Sequence, residues 1–529
     1  MLVLLGWVLY GPSLLCPFLW DEYGLILDNA AKGAFEWRHL PALFSHRYFH
    51  IPGAPDLRVH LSYYRPVTVL FHALSYHAFG PVPLGYRLES LLLHVGNTVL
   101  LFLLFDAFFS RRPFGPDRSV ALVTATLLFF VHPRNVESVC IIANQTGLLC
   151  SFFTLLSLLC WTRILAGSRR LALLYTASLF SLLLAMLSKE SGYVVPLLAG
   201  LFFLLFRPRG RRNLAWLPAG FFLVLCVPLA ARHSFLEGPS IGAGLLDVFS
   251  GQASILSHLG SVLALLFHQL NEWFFPVGIH LFQYPFSPEK MTLREAAPPV
   301  FVLGGLLWLL RRDRRLVLLG FGLFLIAYLP SSNFIPMGKL PGGGLKTGAH
   351  HLYLAQAGLA LLAGSALFLP ARWLADRGSP HRGRLISGSL AVILMLLLCR
   401  QTFAFSGRFR SADLFYRGVL ERNPVYAGAW QNYGWHKLYL DRRPDDAERI
   451  LLDGLERMVS EGDTRGQRKL VWNLLHLYLA SGRVQEACTL LQCVREAWLE
   501  DPVGNDHFWT LVEAAENGEE GPNSTWNGE

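Results

Sequence analysis

The chain has 529 residues, of which 53% are hydrophobic and only 16% are charged, and its formal net charge is +9. A mean hydropathy of +0.38 excludes an ordinary soluble protein of this length and predicts an α-helical polytopic membrane protein. Most of the positive charge is arginine in short loops between apolar segments, so it does not indicate nucleic-acid binding.

The first apolar segment covers residues 1–20 and contains no charged side chain. A signal peptide is the alternative, but no basic region opens the segment and WDEY follows it in place of a small-residue cleavage site. We therefore interpret the segment as a retained first membrane span.

The distribution of arginine predicts the topology, because short loops rich in Lys and Arg stay in the cytoplasm. With roughly 20 apolar residues per crossing, we expect about eleven spans and a cytoplasmic N-terminus. The expected spans are residues 2–20, 86–106, 119–132, 139–162, 171–188, 192–206, 214–231, 298–310, 316–330, 352–370 and 386–402. The membrane domain then covers residues 1–407, with a first outer loop at 21–85 and another at 232–298. Within these loops, the apolar segments 64–80 and 244–281 are interpreted as interfacial or re-entrant helices.

The composition changes after the last span, and residues 408–516 predict a small helical domain outside the cytoplasm. Two segments, around Trp430 and Trp472, each show an aromatic or leucine-rich helix, a turn and an amphipathic helix. This is the pattern of tetratricopeptide (TPR) repeats, and a generic pair of helical hairpins is the alternative. Residues 517–529 are polar and are expected to be disordered.

The cysteines do not predict a metal site or a disulfide framework. Most of the eight lie in or beside apolar spans, and Cys488 and Cys493 lie five apart in an expected helix. We also see no acidic cluster that would complete an oxygen-ligand shell, so we expect no metal cofactor.

The unusual polar residues cluster in the predicted outer loops. Any one of them can be an interfacial anchor or an ordinary loop charge, but together they predict a site, since ionisable groups at the mouths of spans usually face a cavity or one another. The residues are Asp21, Glu22, Tyr64, Arg65, His132, Arg134, Asn135, Glu137, Lys189, Glu190, Lys346, His350 and His351.

Acids and cations at a membrane surface suit group transfer. A partly desolvated carboxylate can take a proton from a nucleophile. Arginine and lysine can hold a phosphate and stabilise it as a leaving group. The combination predicts transfer from a phosphorylated lipid to an acceptor outside the cytoplasm.

Several motifs carry a family resemblance. FLWDEYGLILDN, SYYRPVTVLFHALSYHAFG, YRLESLLLHVGN, HPRNVESV, LSKESG and GAHHLYLAQAG occur in this order. They resemble the corresponding stretches of C-superfamily (GT-C) glycosyltransferases, and most closely those of the transmembrane and TPR-repeat O-mannosyltransferases. The resemblance implies a GT-C fold and an inverting transfer of a mannose-like sugar from a polyprenyl or dolichyl phosphate to a protein hydroxyl. One departure is the pair His350 and His351, which stands where the family has an acid and an arginine.

By this resemblance, Asp21 is the general base and Glu22 helps to position it or the sugar. A role for the acidic pair in capping the interface and fixing the topology is the alternative. The candidates for binding the donor phosphate are Arg65, Lys189, His351, His350 and Lys346.

The candidates for binding substrate are His94, His132, Glu137 and Glu190. We expect His94 to face the cavity, although a buried histidine satisfied by a carbonyl group is an open alternative. We expect Glu190 to pair with Lys189 in the resting state.

The expected partners are a polyprenyl-phosphate-linked sugar, membrane lipid and an acceptor protein recruited by the TPR-like domain. The active site and the C-terminal domain are expected in the periplasm or an equivalent lumen, and the bias towards arginine favours a bacterial inner membrane. Two alternatives stay open: the same chemistry on a glycolipid or envelope polysaccharide, and a non-catalytic membrane scaffold. A transporter is disfavoured because the sequence shows no inverted repeat.

Overall fold

The computed structural model describes residues 1–31, 33–44, 63–110, 118–206, 216–235, 255–279, 284–286, 291–311, 313–334 and 345–498. The expected disordered tail at 517–529 lies outside the described residues. The chain divides into two compact units, the first Met1–Ser411 and the second beginning at Ala412. From the sequence, the boundary between the two domains is expected between residues 407 and 408.

The first unit is almost entirely helical. Its helices are α1 Leu2–Leu14, α2 Pro66–Phe79, α3 Pro83–Phe109, α4 Arg118–Val131, α5 Val136–Cys140, α6 Gln145–Leu165, α7 Leu171–Ser188, α8 Val195–Phe206, α9 Leu217–Phe235, α10 Ile255–Phe274, α11 Leu293–Leu309, α12 Arg314–Tyr328, α13 Gln356–Ala366, α14 Leu369–Ala375 and α15 Pro380–Ser406. A π-helix, Tyr23–Asp28, follows the acidic pair, and two short antiparallel strands, β1 Tyr284–Phe286 and β2 Leu345–Thr347, pair with each other.

Seven helices in the described part of the chain are long and apolar enough to cross a membrane. The number becomes eight if Ser119–Val131 and Pro133–Cys140, which meet at a bend of 49°, form one broken span. Three other apolar helices, Leu2–Leu14, Glu190–Phe206 and Glu295–Trp308, are only 10–17 residues long, which is shorter than a typical crossing. The structure therefore supports an α-helical polytopic membrane protein, while the number of about eleven crossings stays a prediction.

The first helix is shorter than the sequence predicts. It ends at Leu14 in place of Trp20, because Pro17 cannot continue a helix and the backbone of Trp20 turns into the left-handed region at a φ of 52°. The 13 residues of α1 rise about 20 Å. The acidic pair therefore follows an irregular segment and not the end of a helix.

Small residues let the spans of the first unit approach closely. A Cβ added to Gly358 would lie 2.1 Å from the carbonyl oxygen of Gly320, and a Cβ added to Gly364 would lie 2.6 Å from the Cα of Ala125. Such contacts are typical of helix pairs in membranes, where packing replaces the hydrophobic effect. They bring α13 against α12 and α4, and so fix the histidine stretch that precedes α13.

The second unit consists of α16 Ala412–Arg422, α17 Ala427–Tyr439, α18 Pro444–Ser460, α19 Thr464–Ala480 and α20 Val484–Trp498. Gly454 packs against Trp430, since an added Cβ would lie 2.7 Å from the indole Cγ. Gly434 similarly packs on Leu451, at 2.6 Å. Consecutive packed helices with an aromatic residue and small residues between them suit TPR repeats, whose presence here stays a prediction. The side chain of Cys493 lies outside the described residues.

Candidate functional site

The two adjacent carboxylates of the acidic pair have different surroundings. Glu22 is fully buried, and its Oε2 and Oε1 accept the backbone N–H groups of Leu19 at 2.7 Å and Ile142 at 2.6 Å. Asp21 is only partly buried, and its charge acts on the phenol of Tyr63. Glu22 therefore holds the loop together, whereas Asp21 keeps part of its side chain exposed.

Arg87 is the buried partner of Glu22, and the sequence reasoning missed it. It lies near the start of α3 and donates to Glu22 Oε2 at 3.2 Å, to the carbonyl of Cys16 at 3.1 Å, to that of Pro17 at 2.5 Å and to that of Cys140. The available signal was an arginine inside an otherwise apolar span, in the YRLES stretch. Such a residue marks a functional or structural site because its charge is expensive there.

Arg65 and Glu190 form a bidentate ion pair. The Arg65 Nη2 lies 2.7 Å from Glu190 Oε2, and Nε donates to the same oxygen at 3.0 Å. The guanidinium also lies 4.2 Å from the ring centroid of Tyr63. Glu190 thus pairs with Arg65, and the expected pairing with Lys189 does not occur in the structure.

Lys189 is a half-buried cation that forms no salt bridge with any residue that the structure describes. Its extended backbone ends α7, and its Nζ lies 3.5 Å from where a Cβ of Gly147 would be. Glu190 and Glu137 act on its charge, but neither forms an ion pair with it in the described part of the chain. Burial, with the positive charge of Arg65 nearby, lowers the pKa of Lys189 to about 8. This ammonium is therefore available to an anion.

Arg232, near the end of α9, is a second cation that the sequence reasoning missed. Its positive charge acts on the phenols of Tyr193 and Tyr63. The charged residues that converge on the Tyr63 phenol are Asp21, Arg65, Glu190 and Arg232. We call these four residues, together with Tyr63 and Lys189, the outer polar cluster.

The histidine pair before α13 contributes to a buried network and not to this cluster. His350 Nδ1 lies 2.6 Å from Glu137 Oε1, and the His350 backbone N–H donates to Oε2 at 3.1 Å. Both side chains are buried, and their expected roles in phosphate and substrate binding stay predictions. His351 is half-buried, with its ring centroid 3.9 Å from that of His350. The side chain of Lys346 lies outside the described residues.

His132 packs inside the protein, and its expected role in binding substrate stays a prediction. It is buried and stacked on Trp273 at 5.0 Å between ring centroids, and its Nε2 lies 3.0 Å from the Trp273 carbonyl oxygen. The neighbouring Arg134 donates to Glu272. These contacts connect the segment 132–135 to the end of α10.

His94 lies inside the protein, and its expected position beside a cavity stays a prediction. Its Nδ1 lies 2.6 Å from the hydroxyl of Tyr353, its Nε2 lies 3.0 Å from the carbonyl oxygen of Phe130, and its ring is fully buried. The alternative considered from the sequence, a buried histidine satisfied by a carbonyl group, describes this geometry.

The outer polar cluster joins a reachable carboxylate to three cations, and this arrangement can deprotonate a nucleophile and hold a phosphate. Within the described ranges, no group of three or more His, Cys, Asp or Glu residues is placed to hold a metal ion. Independence from metal stays a prediction.

The comparison with curated proteins gives several relatives. The chain is 31% identical to protein O-mannosyl-transferase TMTC3 of Homo sapiens over 187 residues, which cover 35% of this chain and 19% of that protein. It is 34% identical to protein O-mannosyl-transferase Tmtc1 of Drosophila melanogaster over 210 residues, 40% of this chain and 23% of the relative. A longer match to protein O-mannosyl-transferase TMTC4 of Homo sapiens is 26% identical over 422 residues, 70% of this chain and 55% of the relative.

This chain thus spans between 19% and 55% of the length of these three relatives. No family model matches it, and no solved structure matches it. The relatives are animal proteins and do not support the expected bacterial origin. The predicted resemblance itself is confirmed, because this integral membrane protein is similar to the TMTC protein O-mannosyl-transferases.

Proposed function

We propose that this chain is a membrane glycosyltransferase that moves a mannose-like monosaccharide from a polyprenyl or dolichyl phosphate to a protein hydroxyl. The observation that carries the proposal is the outer polar cluster, in which Asp21 shares the surroundings of Tyr63 with Arg65 and Arg232. The names of the relatives supply the sugar and the class of acceptor. The reaction takes place on the extracytoplasmic side, and the helical unit that begins at Ala412 recruits the acceptor.

In the proposed reaction, Asp21 takes the proton of the acceptor hydroxyl. The hydroxyl oxygen forms a bond to the anomeric carbon while the bond from that carbon to the phosphate oxygen breaks. The phosphate leaves with the electron pair and an additional negative charge, and attack from the opposite face inverts the configuration. This step needs no oxidant and no nucleotide.

The three cations of the cluster suit the leaving group. Lys189 has no salt bridge in the described part of the chain, so it can contact the phosphate without losing an existing partner. Arg65 is paired with Glu190. Its guanidinium has enough N–H donors to bind the carboxylate and the phosphate at the same time. Donors aimed at developing negative charge stabilise the transition state more than the ground state.

The test is sugar transfer in membranes that contain the full chain. Labelled polyprenyl-phosphate mannose is supplied with a lysate of secreted proteins, and wild type is compared with Asp21→Asn at equal protein amounts. We expect wild type to label protein and Asp21→Asn to lose at least about 100-fold in rate. Glu36→Gln is the matched control, because Glu36 is an exposed acid paired with Arg38 in the same outer segment, and such pairs contribute little.

The outcomes separate the alternatives. Label in a glycolipid or polysaccharide, lost with Asp21→Asn, would keep the chemistry and replace the acceptor. If transfer persists in Asp21→Asn, Asp21 is not the general base. No transfer from any lipid-phosphate monosaccharide would leave the membrane scaffold as the better description.

A further inference from the structure

The residue before the acidic pair has an unusual backbone. Trp20 has a φ of 52°, in the left-handed region that bulky L-residues rarely occupy. This turn separates the two carboxylates: Glu22 is fully buried, whereas Asp21 is partly exposed and acts on Tyr63. A backbone in this conformation persists only when its surroundings hold it there.

Arg87 provides hydrogen bonds that stabilise this backbone conformation. Its guanidinium donates to Cys16 O, Pro17 O, Cys140 O and Glu22 Oε2, and we call these five residues the Arg87 clamp. The clamp ties the irregular segment after α1 to the start of α3 and to the end of α5. Arginine suits this position because its donors form a rigid planar fork, which a lysine ammonium does not reproduce.

Glu22 completes the arrangement from the other side. Its two oxygens accept Leu19 N–H and Ile142 N–H, so the buried carboxylate bridges the irregular segment and the turn that leads into α6. The negative charge of Glu22 also compensates the buried charge of Arg87, at an Nη2 to Oε2 distance of 3.2 Å. The ion pair between Arg87 and Glu22 therefore fixes the irregular segment on both sides of Trp20.

We propose that Arg87 is a positioning residue for the transfer reaction, acting through Glu22 and the left-handed Trp20 to aim Asp21 at the outer polar cluster. This inference rests on the proposed function, in which Asp21 is the base. A displacement of about 1 Å in a catalytic group can reduce a rate on the order of 100-fold. The role is distinct from compensating the charge of Glu22, which a lysine would also do.

The test compares Arg87→Lys with wild type in the membrane transfer assay, at equal amounts of inserted protein. We expect kcat to fall about 30-fold while KM for the lipid-linked donor stays within about twofold, because the base is misplaced and the phosphate contacts are kept. Arg38→Lys is the control, since Arg38 is an exposed arginine in the same outer segment.

Trp20→Gly provides the second variant, since glycine adopts the left-handed conformation without steric penalty. In the Arg87→Lys background, Trp20→Gly is expected to recover at least about threefold in kcat, because the loop then reaches its active conformation without the clamp. A lysine variant with wild-type kcat would overturn the inference, and so would a loss that Trp20→Gly leaves unrelieved.

The two proposals fail in different ways. If Asp21→Asn keeps full transfer, Asp21 is not the base, and if no donor supports transfer, the proposed function fails. Modification of Asp21→Cys by a membrane-impermeant maleimide then tests the positioning role without any donor. Adding Arg87→Lys should change that modification rate at least about threefold. Adding Trp20→Gly as well should return the rate towards that of Asp21→Cys alone. An unchanged modification rate would overturn the positioning role even if transfer requires Asp21.

Discussion

Under the proposed function, the lowered pKa of Lys189 predicts that donor binding depends on pH in a defined direction. A lysine holds its charge below its pKa, and burial beside Arg65 brings the pKa of Lys189 to about 8. In the free protein, about nine in ten of these side chains are charged at about pH 7 and about one in ten at about pH 9. Affinity for a phosphate therefore falls as the pH rises through the pKa of Lys189.

The size of the effect follows from the same fractions. A bound phosphate raises the pKa of the ammonium, so the donor complex keeps Lys189 charged over this range. The free protein must then take up a proton to bind the donor. We expect KM for the donor to rise about tenfold between about pH 7 and about pH 9, equivalent to about 1.4 kcal/mol.

The assay measures KM for polyprenyl-phosphate mannose at several pH values in membranes from wild type, Lys189→Arg and Lys189→Met. Arginine stays charged throughout, so Lys189→Arg should keep a low KM at high pH. Lys189→Met should show a high KM at every pH, without the rise. If Lys189→Arg and wild type lost affinity in parallel, another group would be titrating and the assignment of Lys189 to the phosphate would be refuted.

Three further variants test other parts of the molecule. Glu190→Gln removes the ion-pair partner of Arg65, so the freed guanidinium should lower KM for the donor about threefold, as measured in the same transfer assay. Glu137→Gln breaks a buried hydrogen-bonded pair and should reduce stability by about 3 kcal/mol, seen as a lower midpoint of thermal unfolding in detergent. Gly454→Val places a side chain against Trp430 and should destabilise the second unit by about 2 kcal/mol, seen as faster proteolysis of the full chain after its last span.

Helices flanked by charge could be predicted from the sequence, whereas those that end at a local backbone feature could not. The predicted span 171–188 coincides with α7, because Arg170 and Lys189 bound an uninterrupted apolar segment. The first predicted span is too long at its end, since hydropathy does not register the effect of Pro17 or the left-handed backbone of Trp20. Apolar composition locates membrane helices but not the irregular segments that carry the site.

The same limit applies to the candidate site. Asp21, Arg65 and Lys189 could be selected because charges at the mouths of apolar spans are conspicuous. Their partners could not, since Arg65 and Glu190 are 125 residues apart in sequence and meet only through the fold. Arg87 was missed because it lies within an apolar helix, and Arg232 because it stands alone at the edge of an expected outer loop.

The departure from the family pattern at His350 affects charge more than packing. His350, Tyr353 and Gln356 contact Glu137, His94 and Asn135, respectively. The three residues are spaced by three, so they share one face of the helical turns that lead into α13. This face fastens the stretch to two other segments, and a histidine satisfies the contact to Glu137 at 2.6 Å.

An arginine within the histidine pair would be a permanent cation, which a histidine is not. The loss of that cation increases the demand on Arg65, Lys189 and Arg232 to bind the donor phosphate. Lys189 is the one whose charge varies near neutral pH, because its pKa is about 8. The histidine pair therefore predicts that donor affinity depends strongly on the charge of Lys189, and the pH series on Lys189→Arg measures that dependence directly.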